Sequence, residues 1–228
     1  MLLKLKMASC LKILNDKCLA GGIFILMLAF TQSYAFARAT AVERILQQGV
    51  PTQPAALDAL SGSLFQEYNA TGNLASLIFY SYSVLKQANH FERVNDYVRA
   101  SEWAKTGFFY LDEAVDAHED NWRVRYLRAR VDAWLPETLG RCVITLEDTR
   151  ALLAVRERYD DSLLAHVNYL RYRALRSCRM ATEQAQLLAV LQQGNAVGRR
   201  LLSEGEASAP AWDTGEVMDV LLPLVREE

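Results

Sequence analysis

The chain has 228 residues, with 25 lysines and arginines against 27 aspartates and glutamates, for a formal net charge of −2 at pH 7. That balance excludes a generally basic nucleic-acid binder, because phosphate contact needs a positive footprint. Pro51, Pro54, Pro136, Pro210 and Pro223 are the only prolines. With so few breakers, long helices are free to run.

The amino-terminal stretch gives an address. Lys4, Lys6, Lys12 and Lys17 precede the apolar run LAGGIFILMLAF, Leu19 to Phe30. A polar stretch and the small-x-small triplet Ala35-Phe36-Ala37 follow. This is the form of a secretory signal peptide cleaved after Ala37. The run falls short of the roughly 20 apolar residues that spanning needs. The alternative is an uncleaved anchor in the inner membrane. Residues 1–37 are therefore expected to be a signal peptide, and 38–228 one exported domain, periplasmic or secreted. About 190 residues suffice for a single core. Without the basic leader, the remaining chain is mildly acidic.

The rest reads as helix after helix. TAVERILQQ, residues 40–48, ends at Gly49, and Pro54 suits the first turn of the next helix. Leu57, Leu60, Leu64 and Tyr68 recur at helical period up to Gly72. Asn73 can cap a helix to about Asn89, with Leu74, Leu77, Ile78, Tyr82 and Leu85 as its stripe. A long helix is expected from about Glu92 to Ala117, and another after Asp120 or Asn121. Pro136 and Gly140 then interrupt, and Thr145 with Asp148 has the look of a capping box opening a helix to about Arg158. Asp160 or Asp161 caps the next, whose face is Leu163, Val167, Leu170, Ala174 and Cys178. One helix from about Thr182 to Leu202, a loop from Glu204 to Gly215 and a terminal helix to about Val225 complete the pattern. The fold class is all-α, built of paired antiparallel helices.

Gly107, Leu111 and Ala114, followed by Asp120-Asn121 and a new helix, resemble the second helix of a tetratricopeptide (TPR) repeat over about residues 100–129. Glu119 stands where that pattern usually has proline. Candidate second helices end near 117, 158 and 203, wider apart than that family's period, so the units would be degenerate or elongated. The resemblance implies stacked helix pairs with a concave protein- or peptide-binding face. The alternative is an irregular helical bundle.

Signals for catalysis are sparse. His90, His118 and His166 lack a metal-ligand partner at i+3 or i+4, and no nucleophile elbow or phosphate-cradling loop is present. No catalytic residue, metal or cofactor is assigned. Two arginine groups stand out: Arg123, Arg125, Arg128 and Arg130 on one helix, and Arg171, Arg173, Arg176 and Arg179 on another. Tyr126, Tyr169 and Tyr172 punctuate them. A guanidinium fork suits a carboxylate, so Arg125, Arg128, Tyr126, Tyr172 and Arg173 are the candidate binding residues, set against a solvated charged face as the plainer reading. Cys142 and Cys178 remain after processing and can form one disulfide in an oxidising compartment. These features point to an exported, non-enzymatic scaffold or adaptor that binds another protein or a peptide, in the manner of a transport or secretion accessory. A small-molecule binder and a helical enzyme are the alternatives. Contact with a membrane is expected only through an uncleaved amino-terminal segment.

Overall fold

The computed structural model describes residues 39–205 and 209–226. The expected signal peptide lies outside the described residues. Ten α-helices and no strand occur among them. They are α1 (Ala41–Gln48), α2 (Pro54–Thr71), α3 (Leu74–Arg93), α4 (Tyr97–Asp116), α5 (Trp122–Asp132), α6 (Cys142–Ala154), α7 (Asp161–Ser177), α8 (Ala181–Gln193), α9 (Ala196–Glu204) and α10 (Leu222–Arg226). A π-helical turn, Glu216–Leu221, runs directly into α10. No described helix is long and apolar enough to cross a membrane.

Side-chain caps set most of the helix starts. At α1, Thr40 Oγ1 accepts from Glu43 N at 3.0 Å while the Glu43 carboxylate accepts from Thr40 N at 2.8 Å, a complete capping box. Asn73, Asp96, Asn121, Asp160 and Asn195 cap α3, α4, α5, α7 and α9. Gly72 ends α2 in the left-handed conformation at φ 71°.

Three boundaries differ from the sequence reading. The turn between α3 and α4 falls at residues 94–96, so α3 continues to Arg93 and α4 starts only at Tyr97. Asn95 takes φ 60° there, and asparagine tolerates that conformation better than most side chains. The helix expected over 182–202 is two helices. Gly194 ends α8, and Asn195 restarts the chain as α9 by accepting from Gly198 N at 2.9 Å. Thr145 and Asp148 do not form a capping box. The helix already starts at Cys142, and both side chains are fully buried in its interior.

Consecutive helices pack as antiparallel hairpins. Between α2 and α3, Gln87 Nε2 donates to Ser61 Oγ at 2.7 Å and Ser76 Oγ donates to Glu67 at 2.6 Å. Between α3 and α4, a Cβ built on Gly107 would lie 2.7 Å from Leu85 Cγ and 3.2 Å from the Ser81 carbonyl. Only glycine allows that crossing. Leu111 and Ala114 continue the buried face of α4. Cys142 and Cys178 form a disulfide, with Cα atoms 5.6 Å apart, that ties the start of α6 to the end of α7.

The carboxyl terminus returns to the first half of the domain. Asn73 Nδ2 donates to the Leu224 carbonyl at 2.9 Å, and Arg123 Nε to that of Asp219 at 2.7 Å. One main core accordingly draws on Ala41, Leu64, Leu111, Leu127, Leu163 and Leu224 together. A smaller cluster of Tyr169, Tyr172, Leu191 and Leu201 joins α7, α8 and α9.

Candidate functional site: an aromatic groove beside two buried ion networks

The arginines of α5 turn inward. Arg128 Nε and Nη2 form a fork on the two Asp148 carboxylate oxygens at 2.9 and 2.8 Å. Arg125 Nη1 reaches the same carboxylate at 3.0 Å and also donates to the Glu119 carbonyl. Arg128 further touches Asp112 at 3.3 Å, which accepts two bonds from Arg141 at 2.7 and 2.8 Å. Arg141 closes the layer on Asp132 at 3.0 Å. Helices α4, α5 and α6 are thus joined by alternating charges in the interior. Desolvation works against the Arg128 and Arg141 cations, but the carboxylates around them hold both above the ordinary arginine value. Burial pushes the Asp132 carboxyl up, to about 7, against the pull of Arg141.

A second network fastens the segment after α9. Glu216, fully buried, accepts from the Tyr126 hydroxyl and from Arg130 Nε, each at 2.6 Å. Its other oxygen accepts from Asp213 N at 3.1 Å. Arg130 also donates to the Pro210 carbonyl at 2.9 Å and lies 3.5 Å from the centroid of the Trp212 ring. His166 Nε2 is 3.1 Å from Asp213 and 3.7 Å from Glu216. Burial acts to raise the Glu216 carboxyl, but the charge and hydrogen bond of Arg130, with His166 and the Tyr126 hydroxyl, hold it below its usual value. The Tyr126 phenol is pushed well up, by burial first and then by Glu216.

His166, Asp213 and Glu216 each offer one ligand atom within 4.8 Å of the others. Asp213 and Glu216 lie three residues apart, but His166 comes from α7, far away in sequence, so no short spacing announced the group. Both carboxylates already face guanidinium groups, Glu216 that of Arg130 and Asp213 that of Arg200 at 3.2 Å. A divalent cation would have to work against these charges. The cluster serves as a clasp for residues 209–216.

The expected binding residues are therefore redirected. Tyr126 is fully buried and Arg128 nearly so. Arg125 spends its guanidinium on Asp148. Tyr172 lies in the smaller core, its ring stacked on Tyr169 with centroids 5.9 Å apart. Arg173 donates to the Ala133 and Gly205 carbonyls at 2.9 and 2.6 Å and covers the Trp134 ring. These side chains bind the protein's own helices, because each lies on the face of its helix turned to a neighbour.

The open surface lies next to them. A cleft of about 640 Å3 runs between the end of α3, the start of α4 and the end of α5. Its walls include Tyr82, Lys86, Ala100, Ala104, Lys105, Phe108 and Trp134, and Tyr97 and Leu139 stand at its solvent side. An adjoining chamber of about 250 Å3 shares Tyr82, Lys86, Val131, Trp134 and Ala209 with it. Ile45, Val50, Ile78, Phe79, Leu127, Arg130 and the clasped segment Pro210–Trp212 also line that chamber. The larger volume lies in the range of ligand pockets, as does the mix of apolar wall and few polar groups. Sequence reasoning implied a concave binding face but singled out neither Lys86 nor Trp212, nor the part played by Glu216. One signal was present for Lys86: it is the first charged residue after Glu67.

No protein-family model matches the chain, and no match to it was found among the curated proteins or the solved structures compared with it.

Proposed function

We propose that this is an exported, non-enzymatic envelope protein that holds a peptide or a segment of another protein in the cleft of α3, α4 and α5, with TPR-like helix pairing as its scaffold. The reading is supported above all by the cleft itself. It combines small residues on α4, Ala100 and Ala104, with the aromatic walls of Tyr82, Phe108 and Trp134. Small residues leave room for a backbone, and aromatic rings give large contact area at low entropic cost. The basic leader with its apolar run and A-x-A triplet supports export, and the Cys142–Cys178 disulfide suits an oxidising compartment.

The test fills the cleft. Ala104→Trp, at a half-buried wall position, should leave the protein folded and abolish retention of the partner recovered with the wild-type chain from an envelope fraction. Asp58→Ala, on the exposed face of α2, should retain it. Equal retention by both variants would remove the cleft from the function. Amino-terminal sequencing of the exported protein should begin at Arg38.

A further inference from the structure

The cleft carries a charge that the protein does not use. Lys86 lines both chambers, at their junction. Its ammonium lies 5.1 Å from the Tyr82 ring centroid, and no carboxylate is within ion-pair distance of it among the described residues. This contrasts with Arg130, the other cation of the smaller chamber, which is neutralised by Glu216 at 2.6 Å. Lys105 stands on the opposite wall of the larger chamber, on α4, and Glu92 is the one acid among the described residues that line it. Among the described residues the cleft thus offers a net positive charge beside an apolar recess.

We infer that the cleft recognises the free carboxyl terminus of a peptide chain, with the terminal carboxylate at Lys86 and the last apolar side chain in the smaller chamber. The inference rests on the peptide-binding reading above and sharpens it. Three features select this occupant. An ammonium with no described carboxylate partner suits a single compact anion, and capture of a chain terminus is a recurring mode of peptide recognition. The smaller chamber is walled by Ile78, Phe79 and Leu127, which suits an apolar side chain next to that anion. The cleft also continues outward past Tyr97 and Leu139, which are 64% and 44% exposed, with Val94 and Val98 exposed beside Tyr97. An apolar strip at the mouth fits an occupant that runs on over the surface, as the body of a peptide does.

The probe is a pool of N-acetylated hexapeptides with apolar residues at the last two positions, made once as free acids and once as carboxyl-terminal amides. Both pools are passed over the full chain, and the retained peptides are quantified by mass spectrometry. Decanoate is titrated in parallel, read by tryptophan fluorescence, since Trp134 and Trp212 line the recess. Free acids should be retained about tenfold better than amides, as expected for loss of one charge-assisted contact. Lys86→Gln should abolish that preference without changing the melting temperature, and Lys86→Arg should restore most of it. Equal retention of acids and amides overturns the role of Lys86 while the peptide reading stands. Binding of decanoate with no peptide retained overturns both, as does retention of nothing.

Discussion

The interior of α4, α5 and α6 and the cleft beside it use positive charge in opposite ways. In the interior each guanidinium has its carboxylate: Arg128 and Arg125 on Asp148, Arg141 on Asp112 and Asp132. In the cleft, Lys86 has an aromatic neighbour and no described counter-ion. The difference separates cations that fasten the fold from the one that the proposal above assigns to a ligand. A paired, desolvated cation is a fastening, whereas one held at an apolar recess without a partner is available to a ligand. Sequence clustering marked a group that is buried and paired within the fold, since arginines gather where acids on neighbouring helices can meet them.

The sharpest way to break this comparison is to remove one charge from each region. Arg128→Ala leaves Asp148 buried and short of its main partner, and an uncompensated buried charge costs about 3–5 kcal/mol. Urea unfolding should show that loss, while Lys86→Ala should stay within about 0.5 kcal/mol. Comparable losses would dissolve the distinction. The joint change Arg128→Met with Asp148→Leu should recover part of the loss, because an apolar pair replaces a buried ion pair at little cost but leaves Arg125 with the Glu119 carbonyl alone.

The disulfide is next in size. It closes a loop with a sequence separation of 36 between α6 and α7. On the chain-entropy account that is worth roughly 3–4 kcal/mol. The Cys142→Ser/Cys178→Ser protein should unfold at correspondingly lower urea. The groove is built from α3, α4 and α5, so peptide retention by the folded fraction should persist.

Gly107 links the sequence pattern to the cleft. An added Cβ would press on Leu85, which lines the larger chamber, and on the Ser81 carbonyl. Gly107→Ala should cost about 1–3 kcal/mol through overpacking. It should also weaken retention, because α3 and α4 must move apart at the cleft wall.

The helical fold was legible because its signals are local. Apolar period, Asn73, Asn121 and Asp160 as caps, and Gly49 and Gly72 as stops all act within a few residues. Even Gly107, Leu111 and Ala114 announced a close helix crossing. The candidate site was legible only in outline, since its chemistry is made between distant segments. Asp148 reads as a helix-start residue until α5 brings Arg128 to it. Glu216 is an ordinary acid of a terminal helix until the chain returns to Arg130 and Tyr126, about ninety residues away in sequence. Which cation lacks a partner depends on every neighbour at once, and no spacing along one helix encodes that.

A pair of opposed pH dependences is also expected, one from each ion network. Glu216 is held below its ordinary value of 4.5 in the folded state. The unfolded chain therefore binds its proton first as pH falls, and the stability this group contributes is present above about 4.5 and lost below it. Asp132 behaves in the reverse sense, since burial raises it from 3.8 to about 7. The folded protein keeps that proton between those values while the unfolded chain releases it. Its contribution is thus full below 3.8 and falls away as pH rises towards 7. Unfolding free energies measured from pH 3 to 8 should separate the two. Asp132→Asn should remove the decline on the neutral side, and Glu216→Gln should flatten the loss on the acid side. Glu216 clasps the segment that walls the smaller chamber, so acid that protonates it should also weaken peptide retention before the domain unfolds. Retention that tracks global unfolding at every pH would show that the clasp does not govern the recess.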